Sequence, residues 1–183
     1  MSRVGKLLIS HPNLPSTDPF YKSVIYIYSD NNEGTMGLII NKPTRYTVAE
    51  LAASFNIEFP YSSDVVRFGG PVNEKAIIIL HTSDWRSSNT THIGNGLCLT
   101  SDDFMLEKLS IGYRPAYWRL TAGVCGWRPG QLDLELSGKY PYKKENSWLI
   151  CDSNDSILFE YDGERQWEIA TELYGKQMID SYF

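Results

Sequence analysis

Six side chains in this sequence could act as nucleophiles, acid–base groups or soft metal ligands: Cys98, Cys125, Cys151, His11, His81 and His92. Cys125 lies in GVCGWRPG, just upstream of an expected helix N-terminus, where a thiolate is stabilised. A nucleophile needs a base beside it. His81 and His92 are the candidates, and the linear sequence places neither near Cys125. The plainer reading is a small buried hydrophobe. His81 ends the apolar run IIILH. A histidine there can top a pocket and titrate near neutral pH, or serve as a hydrogen-bonded edge residue.

Other chemistries lack their signatures. There is no G-x-S-x-G nucleophile elbow, and neither H-E-x-x-H nor C-x-x-C occurs, so no metal ligands are assigned. Asp152–Ser156 (DSNDS) lacks the glycine and terminal glutamate of an EF-hand loop and reads as a turn. The glycines of GVCGWRPG precede a helix start, as in anion sites, but without the Lys-Ser/Thr of a P-loop or the spacing of G-x-G-x-x-G. That segment reads as a tight turn where backbone passes close to something. No catalytic residue and no cofactor is expected. If the glycine turns converge, Gly69, Gly70, His81, Cys125 and Trp127 are the candidate ligand-binding residues.

The elements that must position these residues are short. Lys6–Ser10 reads as a buried strand, and PNLPSTDPFY as a long loop. Val24–Tyr28 and Met36–Ile40 flank SDNNEGT and predict a hairpin. Thr47 and Glu50 form a capping box opening TVAELAASF. Val65–Phe68 and Ile77–Leu80 are strands around a Gly69–Gly70–Pro71 turn. Thr82–Asn95 is polar and reads as a mobile loop. Gly96–Thr100 is a strand, after which Ser101 caps DDFMLEKLSI and Gly112 closes it. Ala116–Thr121 runs as a strand into AGVCGWRPG, and Pro129 opens a short helix up to Gly138. Trp148–Cys151 is a late strand. Glu164–Tyr174 carries Trp167, Ala170, Thr171 and Tyr174 on one face and reads as an amphipathic helix closed by Gly175. Strict βαβ alternation and repeats are both missing. The class is α+β, one domain over residues 1–183, with about four helices flanking a mixed sheet that bends toward a partial barrel.

Composition narrows the function classes. The 183 residues are 42% hydrophobic, which opposes disorder. The net charge of −5 repels phosphate backbones, so direct nucleic-acid binding is not expected. The dense basic group, Lys139 with Lys143 and Lys144, reads as a solvated loop. Three cysteines, an odd count, fit a reducing compartment. The apolar run before His11 is shorter than a signal-peptide core, and no stretch reaches membrane-span length. Cytoplasm is the expected location, without membrane association.

Several of these pieces, in this order, resemble the YqgE/AlgH family of bacterial proteins: GKLLISHP, DPFYKSVIYIY, EGTMGLIINKP, FGGPV, IIILH, LCLTSDDFMLEKLSIGYRP and GWRPGQLDLEL. The match runs from about Gly5 to Trp167. Three places depart from the family pattern, one of them the short C-terminus, Ile179–Phe183. Ser29–Asp30 stands where Glu-His is usual, and Val124–Cys125–Gly126–Trp127–Arg128 where Tyr-Ala-Gly-Trp-Gly is usual. A thiol role for Cys125 is therefore not a family trait. The resemblance implies a bent, branching sheet with a barrel-like portion and says little about activity. One branch of the family is labelled a transcriptional regulator on genetic grounds.

The leading functional expectation is a non-enzymatic regulatory or interaction protein, because catalytic signatures are missing and aromatics of interface type are frequent (Tyr140, Tyr142, Tyr161, Tyr182). A small-ligand-binding module, a transcriptional regulator and an enzyme using Cys125 or His81 are the alternatives. Partner identity and oligomeric state are not legible in the sequence.

Overall fold

The computed structural model describes residues 1–60, 62–139 and 147–183. Lys143 and Lys144, with Tyr140 and Tyr142, lie outside them.

The chain forms β1 (Lys6–Ser10), β2 (Val24–Asn31), β3 (Gly34–Ile39), β4 (Pro43–Thr47), α1 (Val48–Ser54), β5 (Val65–Phe68) and β6 (Val72–Thr82). There follow β7 (Thr91–Gly94), β8 (Leu97–Thr100), α2 (Met105–Ser110), β9 (Trp118–Trp127), α3 (Gln131–Ser137), β10 (Trp148–Asp152), α4 (Asp155–Phe159) and α5 (Gly163–Asp180). The strands run in the order β10-β1-β2-β3-β9-β6-β8-β7, with β4 and β5 branching off β9. The pairs are antiparallel except β5 with β9, so the sheet is mixed. The α+β class and the bent, barrel-like sheet stand as expected.

Strand β1 shows why the runs are continuously apolar. It lies inside the sheet between β10 and β2, with both faces covered. Leu7 and Ile9 enter one core with Tyr26, Leu38 and Ala170 of α5, while Leu8 enters another with Ile25, Ile39 and Trp148. A third core under α1 and α2 holds Val48, Ile79, Trp85, Leu106 and Leu120. β9 is shared by all three, through Leu120, Val124 and Cys125.

Local signals fared well where they are self-contained. Thr47 Oγ1 accepts from Glu50 N–H and the Glu50 carboxylate accepts from Thr47 N–H, the complete capping box. Gly112, at φ +84°, closes α2 in a Schellman turn in which Tyr113 N–H reaches Lys108 O.

Five expectations are corrected. α2 begins after Phe104, not at Ser101, whose hydroxyl instead caps Ile77 O at 2.7 Å. Asp102 there accepts from Ser87 Oγ, Asn89 N–H and Phe104 N–H. The segment 82–95 is not a free loop. Trp85 is buried and donates to Tyr113 O, and residues 91–94 form β7. Residues 123–127 are strand rather than a tight turn. α5 passes through Gly175 to Asp180, held by Gln177, whose amide exchanges two hydrogen bonds with the Asp152 backbone. The DSNDS turn is the cap of a fifth helix, α4, with Asn154 Oδ1 accepting from Ile157 N–H. Among the described residues no helix is long and apolar enough to cross a membrane.

Candidate functional site

Three of the five residues singled out from the sequence meet. Gly69 donates to Ala122 O (2.7 Å) and accepts from Ile39 N–H (2.9 Å), so it ties β9 to β3. Gly70, at φ +148°, lies against the peptide between Val124 and Cys125, and Gly123, at φ +82°, lies against Gly70 O. The Cys125 thiol donates to Gly69 O at 3.6 Å. Burial pushes that thiol up to about 12, so at neutral pH it is the protonated form. The glycines thus mark a crossing of two backbones in the core, where a side chain would collide.

Trp127 stands beside this crossing in a separate polar clasp. Its ring meets Trp148 edge-on, with centroids 6.2 Å apart. Both indole N–H groups donate to Glu135 Oε2, at 3.0 and 2.9 Å. Gln131 of the same helix donates to the other carboxylate oxygen.

His81 is elsewhere. It pairs with Trp118 at the start of β9, and at roughly 3.3 Å per residue that is about 20 Å of strand from Cys125. His81 Nδ1 lies 2.7 Å from Thr82 O, which can only accept, so Nδ1 carries the proton. Burial lowers the ring's pKa against the pull of that carbonyl, so the ring is neutral and Nε2 accepts from Thr100 Oγ1 at 2.8 Å. Thr100 accepts in turn from Thr90 at 2.7 Å. Both nitrogens are engaged, and the ring stands edge-on to Trp85 at 5.0 Å.

Two constellations escaped the sequence reading. On the β7–β8 hairpin His92 faces Cys98, with Nδ1 3.3 Å from Sγ, and Arg86 lies 3.3 Å from His92 Nε2. Burial raises the Cys98 thiol, opposed by the Arg86 charge. The G-N-G turn in THIGNGLC could have revealed this pairing. The second is a charge cluster at the start of α5. Arg67 and Arg119 both reach Asp162, the Arg119 Nη1 to Oδ2 contact being 3.2 Å. Arg119 also donates to Leu158 O (2.7 Å) and to Tyr161 O. Burial, then the charge of Arg67, pulls the Arg119 guanidinium down to about 10. It stays charged at neutral pH. Nothing local in the sequence announces this cluster, because Arg67 and Asp162 are 95 positions apart.

The described residues line several surface grooves, one of them, of about 500 Å³, between β10 and the end of α5, and three others matter to the residues above. One, of about 570 Å³, lies at the seam between β2 and the β7–β8 hairpin, over Tyr28, Ile78, Ile93 and Leu99. A second, of about 500 Å³, lies between the end of α1, β6 and the start of α2. The third, about 310 Å³, has Trp127 and Arg128 on its wall. None of these is lined by Gly69, Gly70, His81 or Cys125. Among the described residues no group of three His, Cys, Asp or Glu side chains is placed to hold a metal ion.

Residues 7–179 match the family described as AlgH-like. A UPF0301 protein of Caulobacter vibrioides is 34% identical over 178 residues, covering 94% of this chain and 87% of its own. Another, from Ruegeria pomeroyi, is 35% identical over 182 residues, covering 96% and 93%. The solution structure of the AlgH protein from Pseudomonas aeruginosa superimposes with a TM-score of 0.78 at 28% identity, over 96% of this chain and 90% of that one. A Corynebacterium diphtheriae protein shares the fold, with a TM-score of 0.69 at 22% identity over 91% and 84%. On sequence and architecture together, with the glycine crossing at its centre, the chain belongs to the AlgH-like family.

Proposed function

We propose that this chain is a non-enzymatic interaction protein of the cytosol that works through the outer surface around α1 and α2. The observation that carries this reading is the apolar surface there. Phe55 ends α1, Phe104 and Ile111 flank α2, and Tyr113 follows it against Trp85 of the third core; each is more than half exposed. Large side chains of this kind, gathered in water, mark association surfaces. Tyr182, one of the aromatics expected at the surface, is exposed, whereas Tyr161 is half-buried and lends its carbonyl to Arg119.

The nucleophile candidates support the same reading. Cys98, Cys125 and Cys151 are unpaired and buried, as suits a reducing compartment. The Cys125 thiol is far from a reactive pKa. His81 holds a fixed tautomer between two protein partners. The test is a pull-down from native lysate with the wild type and with the Phe104→Ser/Ile111→Ser variant. A partner band retained by the first and lost by the second is expected. Identical patterns would end the reading.

A second reading, a small-ligand-binding module, is favoured by the seam groove, which has an apolar floor of Tyr28, Ile78, Ile93 and Leu99 with a few polar groups at its rim, as ligand sites do. Native mass spectrometry of protein purified from its host would show a bound small molecule on the wild type. A Leu99→Trp variant would lose it.

A further inference from the structure

The second groove runs beside an irregular stretch of β6. β8 pairs with β6 only from Ile79 to Thr82. Nearer its start, β6 pairs with β9 at Val72 and Ile77, so Asn73–Ala76 arch over Gly123. Asn73, at φ +48°, makes the bend, and Asn73, Glu74 and Lys75 are exposed. Ser101 Oγ closes on Ile77 O, ending the β8 side of the ladder. Among the described residues no strand lies along the outer edge of β6 before Ile79. The arch and Lys75 guard that edge against strand addition and leave the groove beside it open.

Beside this edge lies an apolar floor of Phe55, Ile57, Ile77 and Leu106. Phe55 is 56% exposed, although it sits between two helices that bury most of their apolar face. The rim carries Asp102, Asp103 and Glu107 against Lys75, an excess of two negative charges. A second copy of this chain fits poorly, because each carries a net charge of −5 and would bring acid to acid.

We propose that this groove docks an extended, basic segment of a partner protein, which lies beside the β6 arch and lays apolar side chains on Phe55, Ile57 and Leu106. In an extended segment successive residues point to opposite faces, so alternate apolar side chains meet the groove floor while the others meet its rim. Lysines on the outward positions meet Asp103 and Glu107. The proposal rests on the reading of the chain as an interaction protein and names the chemistry of its partner.

The test is fluorescence anisotropy with a labelled nine-residue peptide of alternating lysine and valine or leucine (KVKLKVKLK), against its glutamate counterpart (EVELEVELE). The lysine peptide should bind saturably and the glutamate peptide should not. Asp103→Lys/Glu107→Lys and, separately, Phe55→Ser should each weaken binding by about tenfold. Glu168→Lys/Glu172→Lys, on α5, a helix that packs against β1 and β10 rather than lining this groove, should leave it within about twofold. The proposal is overturned by absent or non-saturable binding, by equal loss from both charge pairs, or by equal binding of the acidic peptide. It is overturned as well if Phe55→Ser abolishes self-association seen by sedimentation, which would make a second copy the occupant. If the peptide fails while the pull-down still loses its band on Phe104→Ser/Ile111→Ser, the docking site falls and the interaction reading stands.

Discussion

Gly70 and Gly123 lie backbone against backbone: a Cβ on Gly123 would come closer than 3.0 Å to the carbonyl oxygen of Gly70. A Cβ on Gly70 would in turn enter the peptide group between Val124 and Cys125. Both residues have positive φ, where an L side chain is strained even in open space. The branch strands β4 and β5 can join β9 only because this contact is bare of side chains.

Gly70→Ala and Gly123→Ala should therefore each destabilise the protein by about 3 kcal/mol or more in urea unfolding. Gly126→Ala is the control. Its φ is ordinary and the nearest atom to a new Cβ is Val72 Cγ2 at 3.9 Å, so its cost should stay below about 0.5 kcal/mol. Equal effects at Gly123 and Gly126 would refute the crossing as the reason for the glycine.

Asp162→Asn keeps a good N-cap for α5 but removes the charge that Arg67 and Arg119 share. The expected loss is about 2 kcal/mol, below the 3–5 or so of a fully buried pair, because the Asp162 side chain is 38% exposed. Burial alone would raise the Asp162 carboxyl. The hydrogen bond and charge of Arg67, the charge of Arg119 and the Gly163 N–H outweigh it and hold the carboxyl below its ordinary value. This contribution is complete above the unfolded pKa of about 4 and is lost as pH falls through the lower folded value. Acid titration of stability should show a shallower fall below pH ~4 in Asp162→Asn than in the wild type.

Glu135→Leu removes the acceptor of two indole N–H groups at once. Leaving buried donors unsatisfied costs roughly 1–3 kcal/mol each, and the loss should fall in that range or above it. The tryptophan emission of the folded variant should shift, since Trp127 and Trp148 lose a shared carboxylate. Glu135→Gln, which keeps an oxygen in place, should recover part of the stability.

The buried thiols give the stability curve an alkaline slope. Burial pushes Cys125 and Cys151 up to about 12, while an unfolded thiol ionises near 8.5. Their stabilising contribution is whole below about pH 8.5 and falls as pH rises toward the folded value, by about 1.4 kcal/mol per pH unit for each thiol. Urea unfolding at pH 8, 9 and 10 should show this decline, and Cys125→Ala should make it shallower.

What was legible in the sequence divides along locality. The capping box at Thr47 and Glu50, the β2–β3 hairpin and the Gly112 stop each depend on neighbours within a few positions, and each stands where the pattern put it. The end of α5 was misread because Gly175 is a local stop signal, while Gln177 gains its partner from β10. The polarity of 82–95 hid Trp85, whose side chain decides the path of that segment. The meeting of Gly70 with Gly123, the Arg67–Asp162–Arg119 cluster and the groove beside β6 all join segments far apart in the chain. The types of the residues were visible, but their convergence was not.

The most direct measurement for the interaction reading is site-specific photocrosslinking in living cells. Benzoyl-phenylalanine would replace Phe55, Phe104 or Ile111 on the proposed face, and Glu168 or Glu172 on α5. A discrete adduct of one mass from the first group, with none from α5, is the predicted result. Adducts from α5 alone, or none from Phe55, Phe104 and Ile111 in folded protein, would contradict the account.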